Sequence, residues 1–182
     1  MADGFYGAVD VATRAAFGKA AATDGSATNV TWTHAVTGIV VMVILQAVLL
    51  VVPFAEALPE ALRAVIDFGV LALMMAAVPY IVVGSAALLL GKAETLPALF
   101  LFLSLVLALS QLIGQILGAL NIGAGTAMIG ILAFFAARAS KSLLGIGWGM
   151  ASLIGALVGI GTFASSFLFL LLPTGQAMMA AP

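Results

Sequence analysis

From Leu96 to Ala137 the chain carries no charged side chain. As one helix those roughly 42 residues would be about 63 Å long, at about 1.5 Å per residue. A bilayer's hydrocarbon core is only about 30 Å thick. The run is too apolar for water and too long for one crossing, so it predicts two spans with a tight reversal between them. The reversal is expected at Asn121–Gly125, because Asn and Gly suit the φ > 0 conformations of a turn. The rest of the chain agrees: 64% of it is hydrophobic and 7% charged, against about 25% charged in soluble domains. Barrel strands alternate apolar and polar residues over about ten positions, a pattern these runs lack. The expected fold class is all-α, a polytopic integral membrane protein.

Five spanning helices are expected, over Trp32 to Phe54, Asp67 to Leu90, Leu96 to Leu120, Ile122 to Ala137 and Leu143 to Leu172. Pro79 lies inside the second and predicts a kink. Thr95 and Pro97 read as the N-cap and first turn of the third. Positive residues in short loops set orientation. With the N-terminus cytoplasmic and the C-terminus external, Arg14, Lys19, Lys92, Arg138 and Lys141 fall inside, and only Arg63 falls outside, beside Glu56, Glu60 and Asp67. The bacterial inner (cytoplasmic) membrane is the expected location. Three regions follow: a cytoplasmic amphipathic segment over 1–30, the five-helix domain over 31–173, and an external tail over 174–182.

In FYGAVDVATRAAFGKAAA, residues Phe5, Val9, Ala12, Ala16 and Ala20 share one helical face, and Asp10 and Arg14 pair at i,i+4 spacing on another. Two readings stand. The helix lies in the membrane interface with Phe5, Tyr6 and Phe17 in lipid, or it packs on the cytoplasmic loops. Trp32 suits an interface aromatic. No apolar h-region precedes it, so no secretory signal peptide is expected.

Catalytic chemistry finds little support. No Cys is present, which excludes disulfides and thiolate sites. No HExxH, P-loop or Ser-His-Asp pattern occurs. Net charge is −1, so nucleic acid is not an expected partner. No charge lies near the centre of a span, which counts against proton or ion coupling. A non-enzymatic protein without metal or cofactor is expected. The one histidine, His34, at the start of the first span, is the only residue that would ligate a tetrapyrrole axially; the competing reading bonds it to a neighbouring loop.

Small and amide residues carry more information. Gly145 and Gly149, and Gly155 and Gly159, form GxxxG pairs in the last span; Gly114 and Gly118 form another in the third. In lipid such pairs let backbones approach closely. Ser104, Gln111, Gln115 and Gly118 share one face of the third span, and Gln46 on the first is a candidate partner. Pro79 also leaves the Met75 carbonyl without its helical donor, an acceptor for Gln111 or Gln115. These groups serve either as hydrogen-bonding glue between helices or as a polar seam for a small neutral solute or lipid headgroup.

The segments LLLGKAETLPALFLFLSLV, Leu88 to Val106, and ARASKSLLGIGWGMASLI, Ala137 to Ile154, together with five short-looped helices, resemble the bacterial branch of the Yip (Ypt-interacting protein) superfamily. The resemblance implies a membrane-shaping or trafficking-like role with no catalytic residue. The long N-terminal region through which eukaryotic members engage partners has no counterpart here, so GTPase binding is not implied. Three functions stand as expectations. The first is a scaffold or accessory subunit acting by helix packing, with lipid and other transmembrane helices as partners in a homo-oligomer or larger complex. The second is a transporter or channel for a small neutral solute through the Ser/Gln seam. The third is a pigment- or haem-binding subunit through His34.

Overall fold

A computed structural model describes residues 4–18, 29–51, 61–120, 125–168, 171 and 176. Among these, the regular structure is helical: α1 (Phe5–Ala16), α2 (Trp32–Val51), α3 (Ala61–Leu89), a 3-10 turn (Ala93–Thr95), α4 (Leu96–Ala119), α5 (Gly125–Leu144) and α6 (Trp148–Leu168). Four segments are long and apolar enough to cross a membrane: Trp32–Leu49, Ala93–Ala119, Thr126–Leu144 and Trp148–Ser165. That is the composition of an integral membrane protein. In α3 the apolar stretch is Leu73–Leu89, shorter than a span by itself.

The uncharged run does divide, as the length of the bilayer demands: α4 ends at Ala119 and α5 begins at Gly125. Asn121 and the rest of the turn, 121–124, lie outside the described residues. Three boundaries differ from expectation, one of them the start of the second span, at Ala61 rather than Asp67. The fourth span runs on from Ala137 to Leu144, through Arg138 and Lys141, and the last begins at Trp148 rather than Leu143. Gly145, at φ +67, ends α5 in the left-handed conformation that glycine adopts freely. It therefore belongs to a turn and not to the packing face of α6.

The turn between α3 and α4 is built from local hydrogen bonds. Gly91 has φ +67, the Lys92 amide donates to the Ala87 carbonyl at 2.8 Å, and the Gly91 amide donates to Leu88 at 3.1 Å. This pair satisfies the last carbonyls of α3. Thr95 occupies the N-cap position of α4 but does not cap it. Its hydroxyl donates back to the Lys92 carbonyl at 2.8 Å. Pro97 at the second helical position has no amide hydrogen, which removes one of the two usual donors to a capping oxygen.

Ring contacts fix which helix ends meet. Trp32, at the start of α2, packs edge-on to Phe100 with centroids 5.7 Å apart. Tyr80, in the second half of α3, lies 5.0 Å from the same ring. Phe102 meets Phe135 of α5 at 6.3 Å. The start of α2, the end of α3, the start of α4, the end of α5 and the start of α6 thus share one end of the bundle. Arg14, Lys92, Arg138 and Lys141 all belong to that end; Lys19 lies outside the described residues.

Helix α1 packs there, against α4 and α5. Its buried face is Ala8, Ala12, Ala15 and Ala16, each at 0% exposure, so only methyl groups separate the backbones. Phe5 and Val9 pack beside this face, and Tyr6 stays exposed. The Asp10–Arg14 pair closes at 2.9 Å on the solvated side. Phe17 packs on the bundle, edge-on to Phe102 at 6.1 Å and Phe135 at 5.8 Å. Each such pair contributes about 0.5–1.5 kcal/mol beyond area burial. Phe17→Ala is expected to raise amide hydrogen exchange across α1 while α4 stays protected; unchanged exchange in α1 would mean the alanine face alone holds it.

Single glycines sit where helices cross. A Cβ at Gly155 would come within 2.5 Å of the Ala133 carbonyl oxygen and 2.8 Å of the Ala137 Cβ. At Gly159 the nearest atom is the Ala133 Cβ, at 3.1 Å. Gly38 places α2 against Leu101 and Ser104, and Gly161 places α6 against Val78.

Candidate functional site

The two ends of the bundle pack differently. In α4, Leu96 to Leu99 and Leu101 to Ser104 are buried, whereas no residue from Ala108 to Leu120 is. The first half is enclosed by the other helices, including Met42, Val83 and Ala136. In the second half the neighbours stand back and leave a cavity of about 440 Å³ between α2, α3, α4, α5 and α6. Small-molecule sites occupy about 300–1,000 Å³.

Four helices place polar groups on this cavity. Gln46 comes from α2, Ser110, Gln111 and Gln115 from α4, Thr126 from α5 and Thr162 from α6. Gln111 and Gln115 arrive together because i,i+4 residues share a helix face. Met75 of α3 lines the same wall. Pro79 follows it by one turn inside α3, which continues to Leu89, and cannot donate to the Met75 carbonyl.

The amides do not bond one another. Gln46 is 4% exposed, and its Oε1 has no hydrogen-bond partner among the described residues. Gln111 and Gln115, both half-buried, likewise have no hydrogen bond to a described residue. Ser110 satisfies itself by donating to the Leu107 carbonyl at 2.9 Å. The cavity therefore offers amide donors and acceptors and no charge.

Ser104 lies apart, two turns toward the closed end of α4. It is 1% exposed, donates to the Phe100 carbonyl at 2.8 Å and lies 2.8 Å from the Tyr80 hydroxyl. Its single proton is engaged with Phe100, so Tyr80 is the donor of the second bond. This is a helix-to-helix link beneath the cavity, not part of its lining. The expected seam thus separates into a bonded floor at Ser104 and an unbonded amide cluster above it.

The glycine pairs separate in the same way. Gly155 and Gly159 touch α5, and a Cβ at Gly114 would lie 3.6 Å from Met128. Gly118 and Gly149 meet nothing within 4 Å among the described residues. Thr126 and Thr162 were not singled out from sequence. Thr162 continues the Gly155–Gly159 face at seven residues from Gly155, which is the signal that marks it; Thr126 has none.

His34 is engaged locally. Its Nδ1 accepts from the Thr31 amide at 3.3 Å and lies 3.1 Å from the Thr31 hydroxyl. This is one half of a capping box, with the N3 side chain reaching back to the N-cap amide. Nδ1 is thereby occupied, and no group of three His, Cys, Asp or Glu residues gathers among the described residues. Comparison of the chain with protein-family models, curated proteins and solved structures finds no match.

Proposed function

We propose that this chain is a five-span membrane protein that binds a small uncharged polar solute in the amide-lined cavity and carries it across the bilayer. The observation that carries this reading is Gln46, which lines the same cavity as Gln111 and Gln115 and whose carbonyl oxygen is buried without a partner among the described residues. A buried amide used as glue would be bonded, since an unmet group costs about 1–3 kcal/mol. The absence of charge suits a neutral cargo, and the packed floor at Ser104 suits a gated carrier rather than an open pore. The fifth span is α3, whose 29 residues give ample length. The end that holds Arg14, Lys92, Arg138 and Lys141 is cytoplasmic on the positive-inside rule, which leaves the N-terminus inside, the C-terminus outside and the cavity in the outer half.

The test is osmotic. Proteoliposomes are mixed with hyperosmotic urea or glycerol, and re-swelling is followed by light scattering. The wild type is expected to re-swell faster than protein-free vesicles with at least one probe. The double variant Gln111→Leu/Gln115→Leu is expected to fall to the protein-free rate while eluting as the wild type does. Wild-type rates equal to those of empty vesicles with both probes would count against transport. A second reading, a Yip-like membrane scaffold, draws on Gly118 and Gly149, which are exposed and meet nothing within 4 Å among the described residues. It predicts that the double glutamine variant loses assembly rather than flux.

A further inference from the structure

At the opposite end from the amide cavity, a second hollow of about 400 Å³ lies at the junction of α1 and α5, lined by Thr13, Arg14, Phe17 and Arg138. Two guanidinium groups border it. Arg14 is tied to Asp10 through its Nε, which leaves its two terminal nitrogens free to face elsewhere. Arg138 donates one terminal nitrogen to the Phe17 carbonyl at 3.2 Å, at the C-terminus of α1 where a cation is favoured. Its Nε is buried and has no hydrogen-bond partner among the described residues. Trp148 holds the group in place, with the Arg138 guanidinium 5.8 Å and the Lys141 ammonium 4.6 Å from its ring centroid. Asp10 alone opposes Arg14, Arg138 and Lys141 among the described residues around the hollow, so the local field is positive.

We propose that Thr13, Arg14 and Arg138 form a binding site for a phosphate group. Guanidinium pairs present donors in a planar fork that matches phosphate oxygens, and the Thr13 hydroxyl adds a neutral donor. Arg138 lies within two turns of the α5 end, roughly 9 Å along the helix axis. That depth is where a spanning helix meets lipid headgroups, and basic pockets between helices on the cytoplasmic side bind anionic ones. The phosphate is carried either by an anionic phospholipid or by a free phosphate ion. The proposal is independent of the solute cavity, which uses other residues at the other end of the bundle.

The full-length protein is equilibrated in detergent with phosphatidylglycerol or phosphatidylcholine, and retained lipid is counted by native mass spectrometry. Phosphatidylglycerol is expected to be retained in preference. Arg14→Gln and Arg138→Gln are each expected to weaken its retention about tenfold, the worth of one charge-assisted hydrogen bond. Lys92→Gln, at the same end but outside the hollow, is expected to leave it unchanged. Arg138→Gln also removes the Phe17 contact; Arg14 is solvent-exposed, so Arg14→Gln keeps the test valid if the first variant fails to fold. Inorganic phosphate is titrated in parallel: displacement of the lipid at millimolar concentration assigns the site to the free ion, and no displacement assigns it to the headgroup. Equal retention of the two lipids with no phosphate binding overturns the proposal, as does an equal loss in Lys92→Gln, which would mean diffuse charge and no site.

Discussion

Gly155→Val is expected to lower the stability of the folded bundle by about 3 kcal/mol, the upper end of the cost of overpacking. The reason is what the new side chain would meet. Its Cβ would stand 2.5 Å from a backbone oxygen, that of Ala133, and 2.8 Å from the Ala137 Cβ. Neither can rotate away, so α5 and α6 must separate along the most extensive helix pairing in the bundle. Gly161→Val meets a tip instead, the Val78 Cγ1 at 2.5 Å, and a rotamer change relieves part of that clash. Gly149→Val meets nothing within 4 Å and is expected to stay within about 0.5 kcal/mol of wild type. Thermal unfolding in detergent, followed by far-ultraviolet circular dichroism, ranks the three. Equal losses at Gly155 and Gly149 would show that glycine acts here through helix propensity, with no role for the close approach to α5.

This ranking also marks the limit of what the sequence discloses. The GxxxG spacing names Gly145, Gly149, Gly155 and Gly159 alike. What distinguishes Gly155 is the pair of alanines opposite, Ala133 and Ala137, and opposition across helices is not written in either helix alone. Gly38 and Gly161 sit at crossings without any paired spacing to announce them. Charge misled in a similar way at Arg138 and Lys141. They read as a loop after Ala137, yet α5 runs through them because the Phe17 carbonyl and the Trp148 ring receive them. Those partners come from α1 and α6, and Phe17 is far away in the chain. Features governed by length or by local bonding were plain: the division of the uncharged run, the break between Leu90 and Leu96, and the Asp10–Arg14 pair. For the amides, sequence named Gln46, Gln111 and Gln115 but left glue and site unresolved, because an amide of either kind occupies the same helical face.

Gln46→Leu separates those two roles by the sign of its effect. If the Gln46 amide bonded another helix, its loss would destabilise the bundle by about 0.6–2 kcal/mol. Its Oε1 is instead buried without a partner, so the folded state already bears a desolvated acceptor at a cost of about 1–3 kcal/mol. Leucine has nearly the same breadth and no polar atom. The variant is therefore expected to be more stable than wild type, with a raised midpoint in thermal unfolding, and at the same time slower in urea or glycerol permeation. A gain in stability joined to a loss of flux is what a strained polar group kept for a ligand produces, since activity and stability draw on the same residue in opposite directions. Leucine at Gln46 that weakens the fold would return the amide to the role of glue, and the cavity would lose its best evidence for a cargo.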